Sequence, residues 1–290
     1  MNAAAAPPVM LKGVAEGVYG FSGVHELMSA SNAGAICNIA VIVGGDSVAV
    51  VDSGGSVGEA KLLLDAIKAV TDRPVRYLIN THMHPDHVFG NAVFRDIGAT
   101  LIGHRKLPLA LAGRAEQYLT RFRQQMGEDA MRGVEIVVPT QLIEDGIELD
   151  LGGRKLELKA WQPAHTDNDL TVLDLQTKTL CAGDLVFVDH VPTLDGSLVG
   201  WLKQTEELAA IKAVRVIPGH GPVSGWPQAL DGQTRYLTVL ADDLRKAIAE
   251  GRPLSEAVET VGQSEREKWA LFGEYHGRNA TTAFAELEWE

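Results

Sequence analysis

The chain has 290 residues, 46% of them hydrophobic, and a formal net charge of −12. That is enough apolar material for a large core, and a surface that acidic argues against nucleic acid and anionic membrane as partners. No apolar run approaches the length needed to span a bilayer, and the two cysteines, Cys37 and Cys181, are too few for a disulfide framework and read as reduced, buried thiols.

Met1 to Val9 lacks the basic and apolar regions of a secretion signal. That leaves the compartment open between the cytoplasm and, if Ala3–Ala6 lie near a trimmed cleavage site, the periplasm. Val14 to Phe21 reads as a first short strand, followed by a small, polar, Gly-containing loop over 22–35 that carries His25. Asn38–Val43 and Ser47–Val51 are β-branched runs separated by Gly44-Gly45-Asp46, which predicts a hairpin. After Asp52-Ser53-Gly54-Gly55, Ser56 opens a helix with Glu59 three residues on, a capping-box spacing. Leu62, Leu63, Ile67 and Val70 give that helix one apolar face.

Val75–Ile79 reads as a buried strand. It delivers Thr81-His82-Met83-His84-Pro85-Asp86-His87, with three imidazoles and a carboxylate inside six residues. His82 and His84, two apart on an extended segment, point the same way. Pro85 then forces a turn that lets Asp86 and His87 face the same space. Imidazole nitrogen with carboxylate oxygen is a ligand set for zinc, iron or manganese. By chance such a spacing arises in about one window in a million.

Asn91–Ile97 reads as a helix and Ala99–Gly103 as a strand, with His104 a structural residue at its end. Lys106–Arg132 predicts one or two helices laid over one edge, with Tyr118, Phe122 and arginines 114, 121 and 123 facing either a substrate approach or solvent. Strands are expected at 135–138, 141–143, 147–149 and 155–160, with a tight turn at Gly152-Gly153. His165 follows in a polar turn. Strands at Leu170–Leu175 and Thr179–Ala182 lead into Gly183-Asp184. A helix at Thr205–Ala213, a strand at Val214–Ile217, Pro218-Gly219-His220-Gly221 and a long helix over Pro227–Glu250 come next, the last capped by Gly251. Further short helices run to Glu290. Trp161 reads as core, whereas Phe187 and Trp201 suit either a pocket wall or the core. His190, Tyr275 and His276 are loop or packing residues unless they reach substrate.

His165, Asp184 and His220 share the setting of the first loop, each at a strand end beside Gly or Pro. Together the set holds five histidines and two aspartates, sufficient for two metals sharing one carboxylate. Here the sequence resembles the metallo-β-lactamase superfamily. The H-x-H-x-D-H loop matches His82, His84, Asp86 and His87. Ala-His-Thr matches at His165, Ala-Gly-Asp at Asp184, Pro-Gly-His-Gly at His220 and Val-Val-Asp-Ser-Gly at Asp52.

The resemblance implies an α/β fold, a four-layer αββα sandwich with C-terminal helices. It implies a single domain over 1–290, with its core over 14–225, a helical insertion near 104–132 and added helices over 226–290. It implies two Zn2+, with iron or manganese as substitutes. His82, His84 and His165 would hold one metal, Asp86, His87 and His220 the other, with Asp184 between them and Asp52 orienting a ligand histidine. A hydroxide between the metals, oriented by Asp86, would attack a carbonyl of a small-molecule ester, thioester, lactone or lactam, with His190 and Trp201 as candidate substrate contacts. Further motifs at 166–170, 195–201 and 274–279 are similar to hydrolase-like proteins of quinoprotein and sulfur-oxidation gene clusters. The aspartate at 184 departs from β-lactamases with cysteine or serine there, so β-lactam hydrolysis is the runner-up. An iron-dependent persulfide dioxygenase is the alternative from another class. Nothing in the residues sets an oligomeric state.

Overall fold

A computed structural model describes residues 7–290; Ala3–Ala6, considered above as the trace of a cleavage site, lie outside them. The first sheet runs β1 (Lys12–Ala15), β2 (Val18–Phe21), β3 (Ile39–Val43), β4 (Val48–Val51), β5 (Val75–Ile79), β6 (Thr100–His104) and β7 (Gln141–Ile143), neighbours in that order. It is antiparallel from β1 to β4 and parallel from β4 to β7. The second sheet comes from the rest of the chain. Its strands are β8 (Gly146–Asp150), β9 (Lys155–Ala160), β10 (Leu170–Asp174), β11 (Thr179–Phe187), β12 (Arg215–His220) and β13 (Ser224–Gly225). Of these pairs only β11 and β12 run parallel.

The layering follows from strand alternation. In β4, Ala49 and Val51 face the second sheet, while Val48 and Val50 face outward onto helix α1 (Val57–Val70). Both faces are buried, so the strand is apolar without a break. Between the sheets, Ile42, Ile79 and Ile102 meet Leu158, Val172 and Ile217. Outside the first sheet, α1 packs with α3 (Asn91–Asp96), beyond the short α2 (Pro85–Val88). Helix α4 (Leu107–Ala130) lays Leu111, Phe122 and Met126 over Met83, Val88 and Phe89 of the metal-candidate loop. Outside the second sheet lie α5 (Leu198–Ala209), α6 (Leu230–Ala249), α7 (Leu254–Thr260) and α8 (Phe272–Leu287). This is the αββα sandwich with C-terminal helices that the family resemblance implies.

Several details differ from expectation. Residues 14–21 form two strands, because Gly17 turns the chain at φ 65°. Residues 135–138 form no strand, since β7 occupies the parallel edge of β6. Helix α5 starts at Leu198 and not at Thr205, with the Ser197 side chain accepting the Gly200 N–H. Ser56 does cap α1, but Glu59 reaches back to the Gly55 N–H, one residue before the cap. At the end of α6, Gly251 adopts φ 68° and the Arg252 N–H returns to Ala247 O, a C-terminal cap of Schellman type.

Candidate metal centre

The cluster sits where strands from both sheets end on the same side. Asp52 follows β4 in the left-handed region, φ 65°, which aspartate tolerates better than most residues. That conformation turns its carboxylate toward β5. Oδ1 accepts the Thr81 N–H at 2.8 Å, and Oδ2 accepts both the Thr81 hydroxyl and His87 Nδ1–H at 2.8 Å. In β11, Leu180 and Ala182 face the outer helices, and a register shift at Gly183 (φ 52°) takes Asp184 out of that outward set. A bulge of this kind re-aims a side chain. Gly219 is required one strand over, since a Cβ there would stand 1.9 Å from Asp184 Oδ1.

Each histidine is held from behind. His165 Nδ1 meets Thr193 O at 2.6 Å and His220 Nδ1 meets Ile36 O at 3.0 Å. A carbonyl only accepts, so both Nδ1 atoms carry the proton and both Nε2 lone pairs point inward. His87 is fixed the same way by Asp52. His84 donates Nε2–H to Asp195 Oδ2 at 3.0 Å, and His82 Nδ1 lies 3.0 Å from the Thr81 hydroxyl. Since that hydroxyl already donates to Asp52, it accepts from His82.

The inward atoms form two groups. His84 Nδ1 is 3.1 Å from His82 Nε2 and 3.0 Å from His165 Nε2. Ligand atoms around a tetrahedral zinc stand about 3.3 Å apart. In the second group, Asp86 Oδ2 is 3.4 Å from His87 Nε2 and 3.3 Å from His220 Nε2. Asp184 divides its oxygens between the groups. Oδ2 faces His82 at 3.7 Å and His165 at 3.4 Å, while Oδ1 faces His87 at 3.2 Å and His220 at 3.5 Å. Buried polar atoms without a partner are costly, and two of them, His87 Nε2 and Asp184 Oδ1, face each other here. A cation between them satisfies both, so the residues fit divalent metal. Burial pushes the His165 imidazole down to about 3. Burial also disfavours a proton on His220, yet Asp184 and Asp86 raise it to about 9. Positive charge is therefore favoured on the second group's side.

A cleft of about 820 Å³ opens over the cluster. Three segments reach it: Met28 and Ile36 ahead of β3, Arg114, Tyr118, Arg121 and Phe122 from α4, and His190, Thr193 and Asp195 between β11 and α5. His190 is buried beside His220, with ring centroids 4.9 Å apart, and its Nδ1–H is tied to Val191 O. Trp201, expected as a substrate contact, is corrected: it is fully buried behind His165, donating to Leu185 O, because α5 already contains it. Arg123 pairs with Glu128 away from the cleft. His276 is structural, held between the Tyr236 hydroxyl and Val261 O. Both cysteines are free and buried, and Cys37 donates to Asp86 O.

Sequence reasoning missed Asp195 as the partner of His84. The only signal was an Asp-Gly-Ser turn. It also missed the role of Asn279 and Glu286 on α8, which grip Leu194, Ser197 and Leu198 and so fix the loop that presents Thr193 and Asp195.

The family model for the metallo-beta-lactamase superfamily matches residues 33–220, a span that holds every member of the cluster. The chain belongs to that superfamily. It is 26% identical over 174 residues to a beta-lactamase-like protein 2 homolog of Caenorhabditis elegans, covering 60% of this chain and 52% of that protein. It is 20% identical over 215 residues to a linear primary-alkylsulfatase of a Pseudomonas species, covering 62% of this chain and 40% of that one. Its fold is similar to that of a stereoselective inverting sec-alkylsulfatase, also from Pseudomonas, with a TM-score of 0.74 and 15% identity over 96% of this chain and 50% of the other. No helix among the described residues is long and apolar enough to cross a membrane.

Proposed function

We propose that the chain is a dinuclear, zinc-dependent hydrolase that attacks the carbonyl carbon of a small-molecule ester, thioester, lactone or lactam and cleaves its acyl–oxygen, acyl–sulfur or acyl–nitrogen bond. The observation that carries this is the division of Asp184, one oxygen toward His82 and His165 and the other toward His87 and His220. A mononuclear iron centre, as the dioxygenase alternative would use, needs only one of those groups. Two divalent cations held there would lower the pKa of a water between them to near neutrality and polarise the substrate carbonyl.

The chain's own residues supply the rest. Asp86, partly open to the cleft, is placed to accept a proton from the attacking water and fix its direction. Asp52, Asp195 and the Thr193 and Ile36 carbonyls keep the histidines in the tautomers that leave lone pairs inward. Burial under α4 and α8 limits competing water.

The test is elemental analysis of the purified protein beside hydrolysis of nitrocefin, a lactone, a thioester and a secondary alkyl sulfate. The last is included because two relatives bear sulfatase names. Two zincs per chain with turnover of one carbonyl substrate is the expected result. Asp184→Asn should then lose the second zinc and most of the rate while still reaching the native fold. One iron per chain and no hydrolysis would sink the proposal in favour of the oxidative alternative. Turnover of the sulfate alone would move the reaction to sulfur.

A further inference from the structure

In a chain of net charge −12, three arginines open onto one cleft: Arg114 and Arg121 from α4, and Arg278 from α8. These helices are far apart in sequence, and both line this mouth. Beyond the cluster's own carboxylates, the cleft's acidic groups are Asp195 and Glu274. Asp195 is already committed. Its Oδ2 holds His84 at 3.0 Å and faces Arg114 at 3.6 Å, and its Oδ1 faces Arg278 at 3.2 Å. One carboxylate thus serves an imidazole and two guanidiniums. Arg121 has no ion-pair partner among the described residues and lies 5.5 Å from the Phe122 ring. Tyr118, Phe122, Met28 and Ile36 give the same cleft an apolar wall.

We infer that this cleft binds an amphiphilic anion: a carboxylate, sulfate or sulfonate head held by Arg121 with Arg278 and Arg114, on an apolar stem that runs along Tyr118 and Phe122 toward the metal cluster. Guanidinium forks match such oxyanions in planar, paired hydrogen bonds. A cationic mouth in an acidic protein also focuses anions onto the site. Taking the anion as one end of the substrate rests on the hydrolase proposal; its binding does not. The anionic end is distinct from the reacting bond, because the arginines stand at the mouth and the cluster at the floor. Arg121 is the specificity-determining residue here, being the one whose charge no protein carboxylate answers.

The probe is hexane-1-sulfonate, a poor metal ligand, against hexan-1-ol, titrated calorimetrically into zinc-loaded protein. The sulfonate should bind about tenfold or more tightly. Arg121→Gln and Arg278→Gln should each weaken it about three- to tenfold, with little effect on the alcohol, since half-exposed charge-assisted bonds are worth that much. Arg121 makes no ion pair, so its variant should melt with the parent. Equal binding of the two probes, or sulfonate binding unchanged in the double variant, would overturn the inference. A second arm compares 4-acetoxybenzenesulfonate with phenyl acetate. The sulfonated ester should be preferred in kcat/KM, and Arg121→Gln should cut that preference through KM. If neither ester is hydrolysed, the hydrolase proposal fails on that count while the calorimetry still decides the anion.

Discussion

Asp52 offers the sharpest perturbation, because one carboxylate fixes two strands and one tautomer. Asp52→Asn keeps shape and volume but presents a single acceptor oxygen. That oxygen is expected to stay on the Thr81 N–H, which the Oδ1 bond at 2.8 Å now serves. The amide nitrogen then faces His87 Nδ1–H, where Oδ2 now accepts at 2.8 Å, and two donors oppose each other. The imidazole relieves this by moving its proton to Nε2, the atom that faces Asp86 and Asp184. It thereby stops being a ligand. Loss of such an orienting partner weakens metal about 10- to 100-fold, or about 1.4–2.7 kcal/mol. The lost charge-assisted bond costs the fold about 1.5–3 kcal/mol. The assay is competition with a chelator of known affinity, followed by elemental analysis, beside a thermal melt. The variant should retain one zinc and release the second at chelator levels that the parent resists. Two zincs held as tightly as in the parent would refute the tautomer argument.

Gly219→Ala should abolish the second metal site and lower the melting temperature, since the added methyl falls 1.9 Å from Asp184 Oδ1; metal content and calorimetry check this. Asp195→Ala should weaken the metal held by His82, His84 and His165 about 10-fold, by freeing the His84 ring, which cobalt-substituted absorption spectra would register. Burial raises the Glu59 carboxyl from 4.5 to about 8, so the folded state holds that proton where the unfolded chain has lost it. Stability should therefore fall as pH rises from 4.5 through 8, and Glu59→Gln should stabilise the protein at pH 9 but not at pH 4, measured by urea denaturation. Burial lowers His104 from 6.5 to about 4, so stability should fall as pH drops across that interval. His104→Gln should flatten that acid limb.

The metal loop was legible because its chemistry is written in side chains at a fixed spacing. The apolar runs 39–43, 48–51 and 75–79 were legible because both of their faces are buried, which leaves no polar interruption to blur the strand. What escaped was carried by backbone or by single residues. The Ile36 and Thr193 carbonyls orient two histidines, yet any residue offers a carbonyl. Trp201 suited either a pocket wall or the core because the expected helix began at Thr205, past it, whereas α5 begins at Leu198. Gly200 is needed inside α5, where a Cβ would stand 2.2 Å from Pro163 O. Residues 135–138 have strand composition, but a strand also needs a free edge.

The two sheets come from successive halves of the chain, and the cluster draws His82, His84, Asp86 and His87 from the first and His165, Asp184 and His220 from the second. It is therefore a seam. During synthesis the first loop leaves the ribosome long before its counterparts, with three imidazoles and a carboxylate but no shared oxygen. On the proposed ligand set such a nascent loop would hold a metal only loosely, and high affinity would arrive only with His220, near the end of the second sheet. Ions held there as proposed would act as rivets across the two halves, and stripping them with a chelator should lengthen the list of amides that exchange with solvent along both facing edges.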